Sequence, residues 1–162
     1  MYDLTLYDLF QRSASLYGDH PALEDDSGPM TYRELVEQTT ALARTLAGKG
    51  LKKGDRVGIL ANNSKAYFLV MGATARLGAI LVPMNWRLAA EELHHILSDA
   101  SPSWIFFDQA HAGTVESLAT GTDFPANQTP LETISTEANN GAGSLGDFQV
   151  AGDDPYCLIY TA

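Results

Sequence analysis

The chain has 162 residues, an apolar fraction of 45% and a formal charge of −10. That length suits one ordinary domain with a real core, and the apolar fraction is that of a globular chain, well clear of disorder. The acidity argues against a nucleic-acid or anionic-membrane surface.

The first residues, Met1-Tyr2-Asp3-Leu4-Thr5, carry no basic segment followed by an apolar one, so no signal peptide is expected. No apolar run approaches the ~20 residues of a membrane-spanning helix. Cys157 is the only cysteine, which rules out an internal disulfide and fits a reducing cytoplasm.

In chain order, Leu4, Tyr7, Leu9, Phe10, Ala14 and Tyr17 mark one face of a first helix that Gly18 ends. Pro21-Ala22-Leu23-Glu24 reads as a short strand and Asp25-Asp26-Ser27-Gly28-Pro29 as a turn. Thr31-Tyr32-Arg33-Glu34 is a capping box, in which Thr31 accepts from the Glu34 N–H and the Glu34 carboxylate reaches back to that of Thr31. Leu35, Val36, Thr39, Leu42, Ala43 and Leu46 then repeat at helical spacing up to Gly48-Lys49-Gly50.

A turn at Lys52-Lys53-Gly54-Asp55 leads into a β-type run, Arg56 to Leu60. Asn62-Asn63-Ser64 offers caps for a helix from Lys65 to about Leu77, apolar on most sides and therefore largely buried. Gly78 stops it. Ala79 to Pro83 is the next candidate strand, Met84 to Arg87 a loop, and Ala89 to Leu97 a short helix. Trp104 to Phe107 is a third apolar run, and His111 to Leu118 a weak helix.

Thr120 to Gly152 breaks the rhythm and reads as a surface excursion with one short strand around Thr133-Ile134-Ser135. Gly152-Asp153-Asp154-Pro155 then releases a last apolar run, Tyr156 to Tyr160, before Thr161-Ala162. Repeated alternation of strand and helix argues an α/β layer structure with a largely parallel sheet covered by helices. The expected strands are Val57–Leu60, Ile80–Val82, Trp104–Phe107 and Tyr156–Ile159, each continuously apolar as in a sheet buried on both faces. A domain seldom finishes on such a strand, so the chain reads as cut, with apolar surface uncovered around Tyr156 to Tyr160.

Several blocks, in order, resemble the AMP-forming acyl-CoA synthetases and related adenylate-forming enzymes. They are Thr31-Tyr32-Arg33-Glu34-Leu35, Gly50-Leu51 through Gly54-Asp55-Arg56-Val57, Gly72 to Gly78, Val82-Pro83-Met84-Asn85-Trp86-Arg87-Leu88 with Glu91-Glu92-Leu93, and Asp154 with Ile159-Tyr160-Thr161-Ala162. The last block resembles the opening of the family's phosphate loop. The resemblance implies that residues 1–162 are the N-terminal portion of the large AMP-binding domain. The rest of the loop, the ribose-binding aspartate, the hinge and the C-terminal domain with its lysine would then lie beyond residue 162.

By the same resemblance, Tyr160, Thr161 and Ala162 belong to the nucleotide site. The activity implied is conversion of a carboxylic acid and ATP to an acyl-adenylate, then transfer to the thiol of CoA, with Mg²⁺. No complete active site is implied here, so the piece alone is expected to be inactive. Two other readings stay open: another adenylating relative, luciferase-like or a peptide-synthetase adenylation domain, and a non-catalytic α/β binding module. The acid is not identified, and a homodimer stays open.

Other chemistry-bearing residues admit plainer readings. Thr161 could simply cap the turn after a strand. Cys157 sits mid-run without a basic neighbour and reads as a buried, inert thiol. His94 and His95 point about 100° apart on a helix, so one is expected to pack and one to meet solvent. His20 and His111 have no ligand partner at metal spacing. Asn85 and Arg87 lie where open α/β sheets place ligands, although Asn85 capping its turn and Arg87 pairing with Glu91 or Glu92 is the favoured reading. Trp86 and Trp104 read as core or interface residues, and Asp25-Asp26 and Asp153-Asp154 as solvated turn residues.

Overall fold

The computed structural model describes residues 4–120, 124–134, 145 and 148–161. Helix α1 (Leu6–Tyr17) precedes an antiparallel hairpin of β1 (Pro21–Asp25) and β2 (Gly28–Thr31). Then follow α2 (Tyr32–Gly48), β3 (Arg56–Leu60), α3 (Lys65–Leu77), β4 (Ile80–Pro83), α4 (Ala90–Ala100), β5 (Trp104–Phe107), α5 (Ala112–Leu118) and β6 (Asn127–Pro130). The last four strands form one parallel sheet in the order β4-β3-β5-β6.

Side chains of successive strand residues leave opposite faces of a sheet, and here both faces are covered. Val57, Ile59, Leu81, Trp104 and Phe106 meet α2 and α3 through Leu35, Leu42, Leu46, Leu69, Val70 and Leu77. Leu60, Val82, Ile105 and Phe107 meet α4 and α5 through Leu93, Ile96, Leu97, Val115 and Leu118. This explains why the three runs are apolar without alternation. The expected packing of the Leu35/Leu42/Leu46 face on the sheet is observed.

Local signals place the helix ends. Thr31 Oγ1 accepts from the Glu34 N–H at 3.2 Å, and Glu34 Oε2 accepts from the Thr31 N–H at 2.8 Å. Thr5 and Asp8 make the same box at the start of α1. Of the three candidate caps before α3, Ser64 is used, accepting from the Tyr67 N–H. Gly78 ends α3 at φ +66°, where any side chain would be strained, and a Cβ there would also lie 2.9 Å from the Lys53 stem.

Two expectations about the sheet are corrected. The fourth sheet strand is β6, not the run Tyr156–Ile159. β6 carries the polar sequence Asn-Gln-Thr-Pro, and it is held by its pairing with β5 and by the Trp104 indole N–H donating to Thr129 Oγ1 at 2.9 Å. Tyr156–Ile159 instead makes a single parallel bridge, Cys157 with Leu81, on the outer edge of β4.

The strand expected around Thr133-Ile134-Ser135 is likewise absent where described. Leu131–Thr133 is a 3-10 turn, and Ser135 lies outside the described residues. The excursion also enters the core, for Leu131 and Ile134 are buried in it.

Helix α3 approaches its neighbours closely at Gly72. A Cβ there would sit 2.8 Å from Thr39 Cγ2 and 2.9 Å from the Phe10 ring. Overpacking of that kind costs roughly 1–3 kcal/mol, against roughly 1 kcal/mol gained from replacing a mid-helix glycine by alanine. Gly72→Ala is therefore expected to lower stability by about 1 kcal/mol in urea unfolding. A raised midpoint would show that Phe10 and Thr39 can move aside.

Candidate functional site

The stretch from Ala151 to Thr161 crosses the β4 edge of the sheet as a strap fixed at a few points. The first is Asp154. Its carboxylate accepts from the Ala151 N–H at 2.8 Å and pairs with Lys53 Nζ at 2.6 Å, while Lys53 also donates to the Gln149 carbonyl at 2.9 Å. Asp154 is thus more than a solvated turn residue, its side chain being only 24% exposed.

The Lys53 hydrogen bond, with the Ala151 N–H behind it, holds the Asp154 carboxyl below the usual carboxylate range. A depressed folded pKa gives stability that is present above the unfolded value and lost as pH falls through the folded one. Asp154→Asn is therefore expected to flatten the acid limb of a melting-temperature-versus-pH curve, below about pH 4, and to leave its neutral-to-basic shape unchanged. Identical acid limbs in the two proteins would contradict the pairing.

The second fixed point is the Cys157 bridge, in which the Leu81 N–H donates to the Tyr156 carbonyl at 2.9 Å and the Leu158 N–H to the Leu81 carbonyl at 2.8 Å. Around it Tyr156, Leu158 and Ile159 are exposed, Ile159 by 70%, as expected for this apolar run. Cys157 is half-buried and burial pushes its thiol up, which suits an inert thiol.

The strap ends at a groove of about 440 Å³ lined by Asn85, Leu88, Glu91, Glu92, His95, Ile96, Tyr160 and Thr161. Two sequence blocks some seventy residues apart therefore share one wall-to-wall space: the loop and first turns of α4, and the Tyr160-Thr161 step. Thr161 is exposed, and Ala162 lies outside the described residues. Tyr160 packs partly against the α4 side of the core and its hydroxyl donates to Asp99 Oδ2 at 2.5 Å.

Asn85 shapes the groove mouth. Its Oδ1 accepts from the Arg87 N–H at 3.1 Å and its carbonyl from the Leu88 N–H at 3.1 Å, so it caps the turn as read. Arg87 does not pair with Glu91 or Glu92. Its guanidinium stacks over the Trp86 ring at 4.3 Å, while Glu92 accepts from the Ala89 N–H at 2.8 Å. Trp86 is 41% exposed and is not a core residue, whereas Trp104 is. His94 and His95 are both exposed, where one was expected to pack, and His95 lines the groove.

A second cluster sits beside the groove at the carboxyl ends of β3, β4 and β5, and it carried little signal in the sequence. Asp108, next after β5, accepts from the Asn62 N–H at 2.8 Å and from Asn62 Nδ2 at 3.1 Å, and also binds His111 Nδ1. Burial raises the Asp108 pKa, but these hydrogen bonds outweigh it and the net direction is down. The buried His111 ring lies 5.6 Å from Trp86. The available clue was the Asp-x-x-His spacing, which puts the pair on one 3-10 turn. Asp25 also proves to be paired, with Lys65 Nζ at 3.0 Å. Among the described residues no group of three carboxylate, imidazole or thiolate side chains could hold a metal ion.

Comparison with known proteins places this geometry. A family model described as "AMP-binding enzyme" matches residues 10–162. The chain is 32% identical over 151 residues to feruloyl-CoA synthase of Amycolatopsis sp., covering 93% of this chain and 29% of that protein. It is 33% identical over 147 residues to a long-chain-fatty-acid–CoA ligase of Escherichia coli O157:H7, covering 90% of this chain and 26% of the relative.

Among solved structures, a fatty acyl CoA synthetase of Mycobacterium tuberculosis superposes with a TM-score of 0.88 at 25% identity, over 98% of this chain and 32% of that one. The chain thus spans under a third of the length of these relatives. No helix among the described residues is long and apolar enough to cross a membrane. With the α/β layers, the ordered blocks and the family model in agreement over nearly the whole chain, this protein belongs to the AMP-binding enzyme family.

Proposed function

We propose that residues 1–162 form the N-terminal portion of the large domain of an AMP-forming acyl-CoA synthetase. One observation carries the reading: the Val82–Leu93 block and the Asp154–Thr161 block, separate in sequence, line a single groove through Asn85, Leu88, Glu91, Glu92, Tyr160 and Thr161. Convergence of two family blocks on one space fits a site better than a strand end. The names of the relatives, CoA synthases and ligases, give the reaction class.

In that reaction a carboxylate oxygen of the acid attacks the α-phosphorus of ATP. The α–β anhydride bond breaks, its electrons leave with pyrophosphate, and an acyl-adenylate remains. The CoA thiolate then attacks the acyl carbonyl and AMP departs, giving the thioester. Thr161 offers a hydroxyl to a phosphate oxygen, and its sequence neighbours Tyr160 and Ala162 are assigned to the same nucleotide site by the family block, Tyr160 as the residue that leads into it. Adenylyl transfer of this kind rests on positioning and on stabilising developing charge.

The described lining of the groove contains no lysine or arginine and two glutamates, so these side chains supply no positive charge to a triphosphate. Mg²⁺ enters as the ion that accompanies ATP. Residues 1–162 alone are accordingly expected to be inactive.

Product analysis tests the assignment. The full-length protein containing these residues, given ATP, Mg²⁺, CoA and a panel of carboxylic acids, should release AMP and a CoA thioester. ADP as the nucleotide product, or no acid-dependent product with any member of the panel, would contradict it.

A further inference from the structure

The side chain nearest Thr161 that is tied to the rest of the fold is Tyr160. Among the described residues the strap bears one backbone bridge, at Cys157, and Leu158 and Ile159 beyond it are exposed. From there, among the described residues, the strap is held through its side chains by Tyr160 Oη donating to Asp99 Oδ2. Asp99 itself is out of place electrostatically, since a carboxylate in the last turn of a helix faces the negative end of the helix dipole.

That last turn is rigidly placed. Arg56, at the start of β3, donates from Nε to the Ala100 carbonyl and from Nη2 to the Ser101 carbonyl at 3.4 Å. Ser101 follows at φ +44° and closes the helix by donating its N–H to the Leu97 carbonyl. The backbone that carries Asp99 is therefore held in place, and the charge Asp99 places against the dipole has a use as the anchor for the strap.

We propose that Tyr160 and Asp99 form a positioning pair, in which the phenol docked on α4 sets where Thr161 and the residues after it meet the phosphates, without itself touching the nucleotide. This rests on the acid-adenylation reading above. A phenol has one proton to donate, and here it is committed to Asp99. Burial, with the Asp99 carboxylate beside it, pushes the Tyr160 phenol up to about 12, so it remains a donor across the working range. A phosphate brought to Tyr160 Oη would also face the Asp99 carboxylate.

The test uses the full-length protein and separates its two half-reactions. Tyr160→Phe and Asp99→Ala should each lower kcat/KM for ATP in the adenylation half-reaction by about tenfold, the loss expected for a hydrogen bond to a charged group. The double variant should be no worse than either single one, because the two changes break the same contact. Asp99→Asn keeps a carbonyl acceptor and should recover most of the rate. Thioester formation from supplied acyl-adenylate and CoA, which involves no pyrophosphate, should show a far smaller loss in all of these variants.

Loss in Tyr160→Phe with none in Asp99→Ala would overturn the proposal in favour of direct contact between the phenol and the nucleotide. Multiplying losses in the double variant, equal losses in both half-reactions, or no loss in either single variant would overturn it as well. Absence of acid-dependent adenylation in the unsubstituted protein is a separate outcome. It overturns the adenylation reading itself, and this inference with it.

Discussion

Phe106→Ala is expected to destabilise the chain by about 3–5 kcal/mol, enough to remove a large part of an ordinary domain's margin. Phe106 is fully buried, on a strand flanked by β3 and β6, and its ring stacks on Trp104 with centroids 6.0 Å apart. It projects into the layer where α2 and α3 meet the sheet, together with Ile59, Leu42 and Leu46. Removing the ring leaves a cavity that rigid neighbours on both sides cannot fill, so the cost includes lost transfer energy and lost contacts. Urea unfolding followed by far-ultraviolet circular dichroism reads it directly. A loss below about 1 kcal/mol would mean the layer is looser than its burial indicates.

The same layer shows what could be read before the structure. β3, β4 and β5 were legible because helices cover both faces of the sheet, and that forces Val57–Leu60, Ile80–Val82 and Trp104–Phe107 to be apolar throughout. The caps at Thr31 and Ser64 were legible because capping is chemistry between residues two or three apart. β6 was not, since Asn127-Gln128-Thr129-Pro130 has no apolar pattern and becomes a strand only because β5 offers a free edge and Trp104 a donor. Conversely, Tyr156–Ile159 has the composition of a strand but only one bridge to β4.

The site divided in the same way. Tyr160 and Thr161 came from resemblance to a family block, not from any period or spacing. That they face Asn85, Leu88, His95 and Ile96 depends on how the strap lies against α4, which no local signal encodes. The Asp108–His111–Trp86 cluster was hidden for a similar reason, as its members come from the ends of different strands.

Thr161→Val in the full-length protein is expected to cost about 1–3 kcal/mol of ATP binding or transition-state stabilisation, close to tenfold or more in rate or affinity. The substitution keeps the branched shape and removes the hydroxyl. Thr161 is exposed in this structure, so its contribution to folding is small, and the melting temperature should stay nearly unchanged. Loss of activity without loss of stability separates a phosphate ligand from a threonine that merely ends a strand. Unchanged ATP affinity and rate would return Thr161 to that structural role.

The most direct measurement is isotope exchange of pyrophosphate into ATP by the full-length protein, with Mg²⁺, with and without a carboxylic acid and in the absence of CoA. Adenylation of the acid is reversible through the acyl-adenylate, so exchange should appear only when a suitable acid is added, and should be absent from residues 1–162 alone. Exchange that does not depend on acid, or none with any acid across short, long and aromatic types, would contradict the assignment of this groove to acid adenylation.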